Sequence, residues 1–141
     1  MVVLDTDHMT LLEWSNRPDT QRLLARLDAL AENEVVTSIV SYEEQVRGWM
    51  AYLAKARSLS DRIEGYRRLR RQLRNYCDIG ILDFDEPAAT SFQRLKQSRL
   101  RIGRNDMQIA AIVLVHDATL LTRNLTHFRQ VSGLKVEDWT V

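Results

Sequence analysis

Polar side chains directly lead or follow apolar runs at three places in this 141-residue sequence. They are Asp5, Asp7, Asp106, Thr122, Arg123 and Asn124. Carboxylate and amide groups that meet at the carboxyl edge of a parallel sheet can form a site for a metal ion or a phosphate group. The pattern therefore predicts a polar cleft, provided that the surrounding helices and strands bring these residues together.

The segment from residue 102 to residue 128 forms one wall of this cleft. Asp106 leads a helical stripe, because apolar residues follow it at i+3, i+4 and i+7, so its carboxylate belongs to the face that packs on the sheet. Asn105 is the expected N-cap, which leaves Asp106 free to point towards Asp5. The chain then reverses into an apolar strand that ends at Thr122, so the helix start and the strand end lie at the same end of the sheet.

A second wall follows the first strand. The apolar run Val2–Leu4 predicts a buried strand that ends in Asp5 and Asp7. An aspartate in this position is also a common N-cap, here for a short helix around residues 9–13. The sequence alone leaves both interpretations open.

Glu44 lies on a helix with two different faces. Residues 35–39 predict a strand, and Ser41 is the expected N-cap of a helix that runs to about Ala56. Glu44 shares a narrow face of small residues with Gly48 and Ala51, which would let it approach the sheet and the cleft. Alternatively, Glu44 is solvated and only the opposite stripe is buried. That stripe contains Tyr42, Val46, Trp49, Met50 and Leu53.

A second consecutive helix is predicted from Ser58 to Tyr76, so the two helices form a hairpin. Its apolar side, expected to cover the preceding stripe, contains Leu59, Ile63, Tyr66, Leu69, Leu73 and Tyr76. The other side carries Arg62, Arg67, Arg68, Arg70, Arg71 and Arg74. These arginines either offer a basic surface for phosphates or form a solvated face that pairs with acids such as Glu64.

The remaining segments alternate between helix and strand. They are a helix opened by Asp19 or Thr20 that ends near residues 32–34, a strand at 79–84, a helix starting at Asp85-Glu86-Pro87, and a strand at 133–137. This alternation predicts a three-layer α/β fold with a mostly parallel sheet of about five strands and a helical hairpin insertion. With 45% hydrophobic residues, we expect a single domain over residues 1–141.

Composition excludes several classes of protein. The 20 basic and 19 acidic residues nearly balance, so any contact with nucleic acid must come from a local patch. Cys77 is the only cysteine, which excludes an intramolecular disulfide, and no apolar run approaches the roughly 20 residues of a membrane span. His8, His116 and His127 lack metal-ligand spacing, and each is expected to be a surface or core histidine. We therefore expect a reduced cytoplasmic protein that does not bind a membrane.

The predicted cleft needs a cation. Converging carboxylates repel one another unless a proton or a cation lies between them. An all-oxygen ligand set suits Mg²⁺ or Mn²⁺ better than zinc. The sequence therefore predicts a hard-metal site.

Three segments resemble the PIN-domain nucleases of the VapC toxin type. They read VVLDTDHMTLL, TSIVSYEEQVRG and IGRNDMQIAAIVLVHDATLLTRNLTHFRQVSGLKVEDW, and together they span nearly the whole chain. The family's metal site uses an acid after the first strand, a glutamate four residues before a glycine, and an acid before the IAA segment. The resemblance therefore implies a site formed by Asp5, Glu44 and Asp106, with Asn124 as its uncharged fourth position.

What the resemblance implies is a divalent-metal-dependent endoribonuclease. Asp5 and Asp106 would hold Mg²⁺ or Mn²⁺, and Glu44 would bind directly or through water. An activated water would then attack RNA in line, leaving a 5′-phosphate and a 3′-hydroxyl. Thr122 and Arg123 would hold the scissile strand.

Further implications concern Asp7 and the partners of the protein. Asp7 would support the site without binding the metal. A homodimer is implied, together with a small antitoxin whose tail fills the acidic cleft, often with an arginine entering the metal site. If the helical hairpin does not cover it, the surface of Trp49, Met50 and Leu53 is a suitable groove for an antitoxin helix.

Two alternatives compete with this interpretation. A receiver-like phosphoacceptor domain would use an acid after the first strand with Asp83, Asp85, Thr122 and Lys135, but it leaves the acid at 106 unexplained. A non-catalytic RNA-binding PIN relative is the other alternative. Three acids in the cleft argue against it, because bare carboxylates repel RNA phosphates.

Overall fold

A five-stranded, entirely parallel sheet lies at the centre of the molecule. The computed structural model describes residues 1–141, and the strands run in the order β3-β2-β1-β4-β5. Their bounds are β1 Val2–Leu4, β2 Val35–Ser38, β3 Gly80–Leu82, β4 Thr119–Leu121 and β5 Lys135–Glu137. All four strand pairs are parallel, which confirms the predicted sheet.

Helices cover both faces of this sheet. They are α1 Thr6–Leu11, α2 Pro18–Leu27, α3 Ile39–Lys55, α4 Leu59–Cys77, α5 Glu86–Gln97, α6 Arg104–Val115 and α7 Leu125–Phe128. Successive strand residues point to opposite faces. Val3 and Leu120 therefore pack with the helix α6, whereas Val2, Leu4 and Leu121 pack with α1 and α2. The three-layer α/β/α prediction is confirmed.

Several predicted ends are wrong by a few residues. Ser38, at the end of β2, caps α3 by accepting a 3.1 Å hydrogen bond from the backbone N–H of Ser41, so Ser41 is not the cap. Gly103 precedes α6 without a side-chain cap, so Asn105 lies inside the helix instead of capping it. Pro18 opens α2, as its fixed φ angle favours, and residues 32–34 form a separate 3₁₀ turn.

The helical hairpin is confirmed, but its packing differs from the prediction. Gly48 and Ala51 are exposed, so the small-residue face of α3 does not lie on the sheet. Leu53 instead faces Gly65 of α4, where an added Cβ would lie 2.5 Å from the Leu53 side chain. The lack of a side chain at Gly65 therefore lets the two helices approach closely.

The predicted apolar side of α4 is largely exposed. Leu59 is 80% exposed and Ile63 59% exposed, whereas Gln72 and Tyr76 are buried. The inner face of α4 is polar because Arg68 reaches the Glu13 carboxylate, at 3.5 Å. A groove of about 950 Å³ opens beside this face, lined by Tyr42, Val46, Tyr66, Leu69, Arg70, Leu73, Arg74, Cys77 and Asp78. The groove therefore does not include the predicted Trp49, Met50 and Leu53 surface.

None of the helices combines the length and the apolar character that crossing a lipid bilayer requires.

Candidate functional site

Asp5 lies at the carboxyl end of β1 and is almost fully buried, with 6% of its surface exposed. One carboxylate oxygen accepts a 2.8 Å hydrogen bond from the Thr6 backbone N–H, so Asp5 does cap α1. The other oxygen accepts a 2.8 Å hydrogen bond from the Thr122 hydroxyl at the end of β4. Both interpretations left open by the sequence are therefore correct, because one carboxylate caps the helix and also faces the cleft.

Asp7, two residues after Asp5, contacts the turn that follows β4. Its Oδ2 accepts a 2.9 Å hydrogen bond from the Arg123 backbone N–H and lies 3.4 Å from the Thr122 hydroxyl. Its Oδ1 lies 2.8 Å from Nδ1 of His8, a fully buried residue to which the sequence gave no function. A histidine next to a cleft acid was the only sequence signal for this contact.

Glu44 lies in the second turn of α3 and is half-buried. Its carboxylate accepts a 2.9 Å hydrogen bond from the hydroxyl of Thr6, the residue after Asp5. The neighbouring Glu43 is exposed and pairs with Arg47 at 2.6 Å. Helical geometry therefore turns Glu44 towards Thr6, just after the end of β1, and Glu43 towards solvent.

Asp106 lies in the first turn of α6 and faces the same cleft. Its pKa is raised, first by partial burial and then by the negative charges of Glu44 and Asp7, while a positive charge on His127 would lower it. Charges on three separate elements thus act on this carboxylate. The predicted acids are brought together.

Burial raises the pKa of Asp5 to about 7, and the charge of Asp7 adds to that rise. The hydrogen bonds from Thr122 and Thr6 act in the opposite direction, and Asp106 contributes a smaller upward shift. Ionising this group near the other acids is unfavourable in the absence of a cation. Repulsion among the carboxylates therefore opposes their ionisation, and a bound divalent cation would relieve that repulsion.

Asn124 and Arg123 occupy the rim of the cleft. The Asn124 backbone N–H donates to the Thr122 hydroxyl at 3.0 Å, and its side-chain nitrogen lies 3.0 Å from Nδ1 of His127. The Arg123 guanidinium is exposed and lies 3.7 Å from the Asp19 carboxylate. The backbone of this turn is fixed, while its two side chains remain at the surface.

The donor set of the cleft consists of carboxylate, hydroxyl and amide oxygens, which fit a hard cation such as Mg²⁺ or Mn²⁺. The side chains do not converge on one point, since no group of three or more histidine, cysteine, aspartate or glutamate side chains is arranged to hold a metal ion. The contact between Glu44 and Thr6 is one reason. Chemistry and charge therefore fit a metal, whereas direct coordination by Glu44 requires its side chain to turn.

This fold and the acidic end of its sheet define a PIN domain. The PIN domain family matches residues 2–134, and the chain belongs to that family. Among its relatives, Ribonuclease VapC1 of Haemophilus influenzae is 26% identical over 143 residues, covering 98% of this chain and 97% of the relative. Ribonuclease VapC2 of Rickettsia felis is 40% identical over 65 residues, covering 43% of this chain and about half, 48%, of the relative.

A solved structure of VapBC-1 from nontypeable Haemophilus influenzae matches the fold over the full length of both chains. The two chains are 25% identical, and the TM-score is 0.78. The receiver-like alternative has no support at this site. Asp85 caps α5. Lys135 begins β5 and pairs with Asp117, just before β4, so it lies at the amino ends of the strands, away from the cleft.

Proposed function

We propose that this chain is a divalent-metal-dependent endoribonuclease and the toxin of a toxin–antitoxin pair. The observation that carries the proposal is the meeting of Asp5, Asp7, Glu44 and Asp106 at one sheet edge, with two of their pKa values raised. Carboxylates whose charges raise one another's pKa values are costly to ionise unless a cation is present. The ribonuclease names of the relatives support the same reaction.

In this mechanism Asp5 and Asp106 would hold Mg²⁺ or Mn²⁺, which would supply an activated water and neutralise charge on the phosphate. Glu44 would bind the ion or orient the water, because its carboxylate accepts a hydrogen bond from Thr6, the residue after Asp5. The water oxygen attacks phosphorus, the bond to the 3′-oxygen breaks, and the products carry a 5′-phosphate and a 3′-hydroxyl.

The end of β4 prepares the site for substrate. Thr122 donates to Asp5 and so fixes the orientation of its carboxylate. Arg123 is exposed at the rim, where its guanidinium can leave Asp19 and contact a phosphate of the scissile strand. Asn124 adds an uncharged oxygen to the fourth corner of the site.

The test is cleavage of total cellular RNA by the purified protein with Mg²⁺, with Mn²⁺ and with excess EDTA. We expect discrete products with 5′-phosphate ends in either metal and no products in EDTA. Equal cleavage in EDTA would exclude the metal mechanism. RNA binding without cleavage in either metal would instead indicate a non-catalytic RNA-binding protein.

The proposal includes a homodimer and a cognate antitoxin, both in the cytoplasm with the RNA substrate. The groove between α3 and α4 supports an antitoxin helix, because it joins apolar side chains to Arg70 and Arg74 at its edge. Replacing the exposed Tyr66 and Leu73 by glutamate should weaken neutralisation by the protein encoded beside this gene, while RNA cleavage stays intact. Unchanged neutralisation would place the antitoxin elsewhere, and light scattering would test the dimer.

A further inference from the structure

His8 is a buried histidine held between two acids. It lies in the short helix α1, three residues after Asp5, and its side chain is completely inaccessible to solvent. Its Nδ1 lies 2.8 Å from Oδ1 of Asp7, and its Nε2 lies 3.8 Å from Oδ1 of Asp138. Nε2 has no hydrogen-bond partner, and a buried ring nitrogen in that state needs an explanation.

The contact between His8 and Asp7 reaches the catalytic end of the sheet. An ionised carboxylate only accepts hydrogen bonds, so Nδ1 is the donor to Asp7. The second oxygen of Asp7 accepts from the Arg123 backbone N–H at 2.9 Å. That turn presents the Thr122 hydroxyl to Asp5 at 2.8 Å. An unbroken chain of contacts therefore joins His8 to the most deeply buried acid of the site.

The opposite side of the imidazole faces the carboxyl-terminal segment at Asp138. Asp138 accepts hydrogen bonds from the backbone N–H and the hydroxyl of Thr140, at 2.9 and 2.6 Å. Arg22 of α2 donates to the Thr140 carbonyl oxygen at 2.6 Å. Asp138 lies after residue 134, where the PIN domain match ends. A segment outside the family match thus packs against the ring that supports the cleft.

We propose that His8 is a positioning residue, which holds Asp7 and through it the turn at residues 122–124, while the Asp138 carboxylate faces the other ring nitrogen. A carboxylate bound at only one oxygen can rotate, whereas Asp7 is held at both. Groups that orient the neighbours of a metal site typically change activity by about 10–100-fold when removed. The effect on cleavage rests on the proposed function, but the effect on the turn does not.

Two variants of similar size separate this role from simple packing. The side-chain nitrogen of asparagine lies two bonds from Cβ, like Nδ1 of histidine, so His8→Asn keeps a donor towards Asp7. The nitrogen of glutamine lies three bonds from Cβ, like Nε2, so His8→Gln directs its donor towards Asp138 instead. Both variants lose the aromatic ring, and asparagine, one methylene smaller, leaves the larger cavity. A role limited to packing therefore predicts the greater disturbance in His8→Asn.

The first readout is hydrogen exchange at the Arg123 amide, measured by NMR without metal. We expect His8→Asn to stay within about threefold of the wild-type exchange rate and His8→Gln to exchange at least about tenfold faster. His116, exposed at the end of α6, supplies the control pair His116→Asn and His116→Gln, both expected to match the wild type. Equal exchange in the two His8 variants overturns the proposal.

The second readout is RNA cleavage in Mn²⁺. We expect kcat to fall about tenfold in His8→Gln and about threefold or less in His8→Asn, with KM unchanged in both, because Asp7 orients the site without touching RNA. A loss in KM alone, or a larger loss in His8→Asn, contradicts the proposal. If even the wild type cleaves no RNA, the proposed function fails, and the exchange rates still decide the role of His8.

Should both His8 variants unfold, Asp138→Asn decides the question. It removes the charge that faces Nε2 and leaves the ring and Asp7 in place. We expect exchange at the Arg123 amide to rise about threefold, a smaller effect because Asp138 acts two contacts away. Wild-type exchange in this variant overturns the proposal.

Discussion

The two walls of the acidic cleft are built differently. The strand wall consists of Asp5, Asp7 and Thr122, whose side chains bind one another and the backbone at the ends of β1 and β4. The helix wall consists of Glu44 and Asp106. Glu44 has a single hydrogen bond, to Thr6, and the pKa of Asp106 is shifted by burial and by charges without any hydrogen bond.

The difference indicates a division of labour. The side chains of the strand wall are held by hydrogen bonds before a metal binds, so their geometry is part of the fold. Substitutions in this wall should therefore affect both stability and cleavage. The helix wall lies on two helices whose side chains can still turn when a cation arrives. Substitutions there should affect cleavage with little effect on folding.

The largest expected effect is loss of cleavage when either metal-holding acid is neutralised. Asp5→Asn and Asp106→Asn should each lower kcat by at least about 10³-fold, because each removes charge that binds the ion and supports several kcal/mol of transition-state stabilisation. Single-turnover cleavage in Mn²⁺ measures the loss. Asp117→Asn, at the opposite edge of the sheet, is the control and should cleave normally. More than a tenth of wild-type activity in either acid variant contradicts the assignment.

The pH dependence of stability separates the two walls. The pKa of Asp5 rises from 3.8 to about 7 on folding, so the folded state holds a proton that the unfolded state has lost. The free energy of unfolding without metal should therefore decrease by up to a few kcal/mol as pH rises from about 4 to about 7. Asp5→Asn should remove most of this decrease and Asp106→Asn only a smaller part. Urea denaturation at several pH values measures it, and identical pH profiles for the two variants would contradict the contrast.

Neighbouring glutamates on α3 provide the next comparison. Glu44→Gln should lower kcat about 100-fold, since it removes a charge beside the metal site while keeping the shape of the side chain. Glu43→Gln should stay within about twofold, because Glu43 is exposed and pairs with Arg47 in a surface contact of small energetic value. Both variants should unfold at the wild-type temperature. Equal losses at the two positions would remove Glu44 from the site.

The sequence predicted the helix wall less securely than the strand wall, for physical reasons. Acids directly after a buried strand must lie at the sheet edge, so Asp5 could be placed from the pattern of Val2–Leu4 alone. A glutamate within a long helix can face any direction. The helix pattern left the direction of Glu44 open, and the family resemblance then assigned it to the site. The small-residue face that would have brought Glu44 to the sheet is exposed at Gly48.

Tertiary contacts account for what the sequence did not predict. The alternation of apolar strands with helices along the chain indicated the parallel sheet. The polar inner face of α4 instead depends on Arg68 meeting Glu13, 55 residues away in sequence. Helical periodicity treats apolar residues as buried and therefore assigned Leu59 and Ile63 to the wrong side. His8 was expected to be a surface or core histidine, but its contacts could not be predicted because its two acidic neighbours meet it only in the folded chain.

Thr122→Val tests whether the strand wall acts as a unit. Valine keeps the shape of threonine but cannot donate to Asp5 or accept from the Asn124 backbone N–H. We expect a loss of about 1–3 kcal/mol in the free energy of unfolding and about tenfold in kcat. Thermal denaturation and cleavage assays measure both, and Thr119→Val at the start of β4 is the matched control. Loss of activity without loss of stability would place Thr122 on the substrate instead.

The smallest expected effect lies at Asn124, on the rim of the cleft. Asn124→Ala should lower kcat only about threefold, because this side chain already contacts His127 and adds no charge to the site. Asn124→Asp should bind Mn²⁺ more tightly, yet it adds a negative charge near Asp106, whose pKa is already raised, so the pH at which cleavage reaches half its maximum should move upward. Calorimetric titration with Mn²⁺ and a pH profile of cleavage measure the pair. If Asn124→Asp changes neither quantity, this corner lies too far from the cation to complete the site, and only the strand and helix walls hold it.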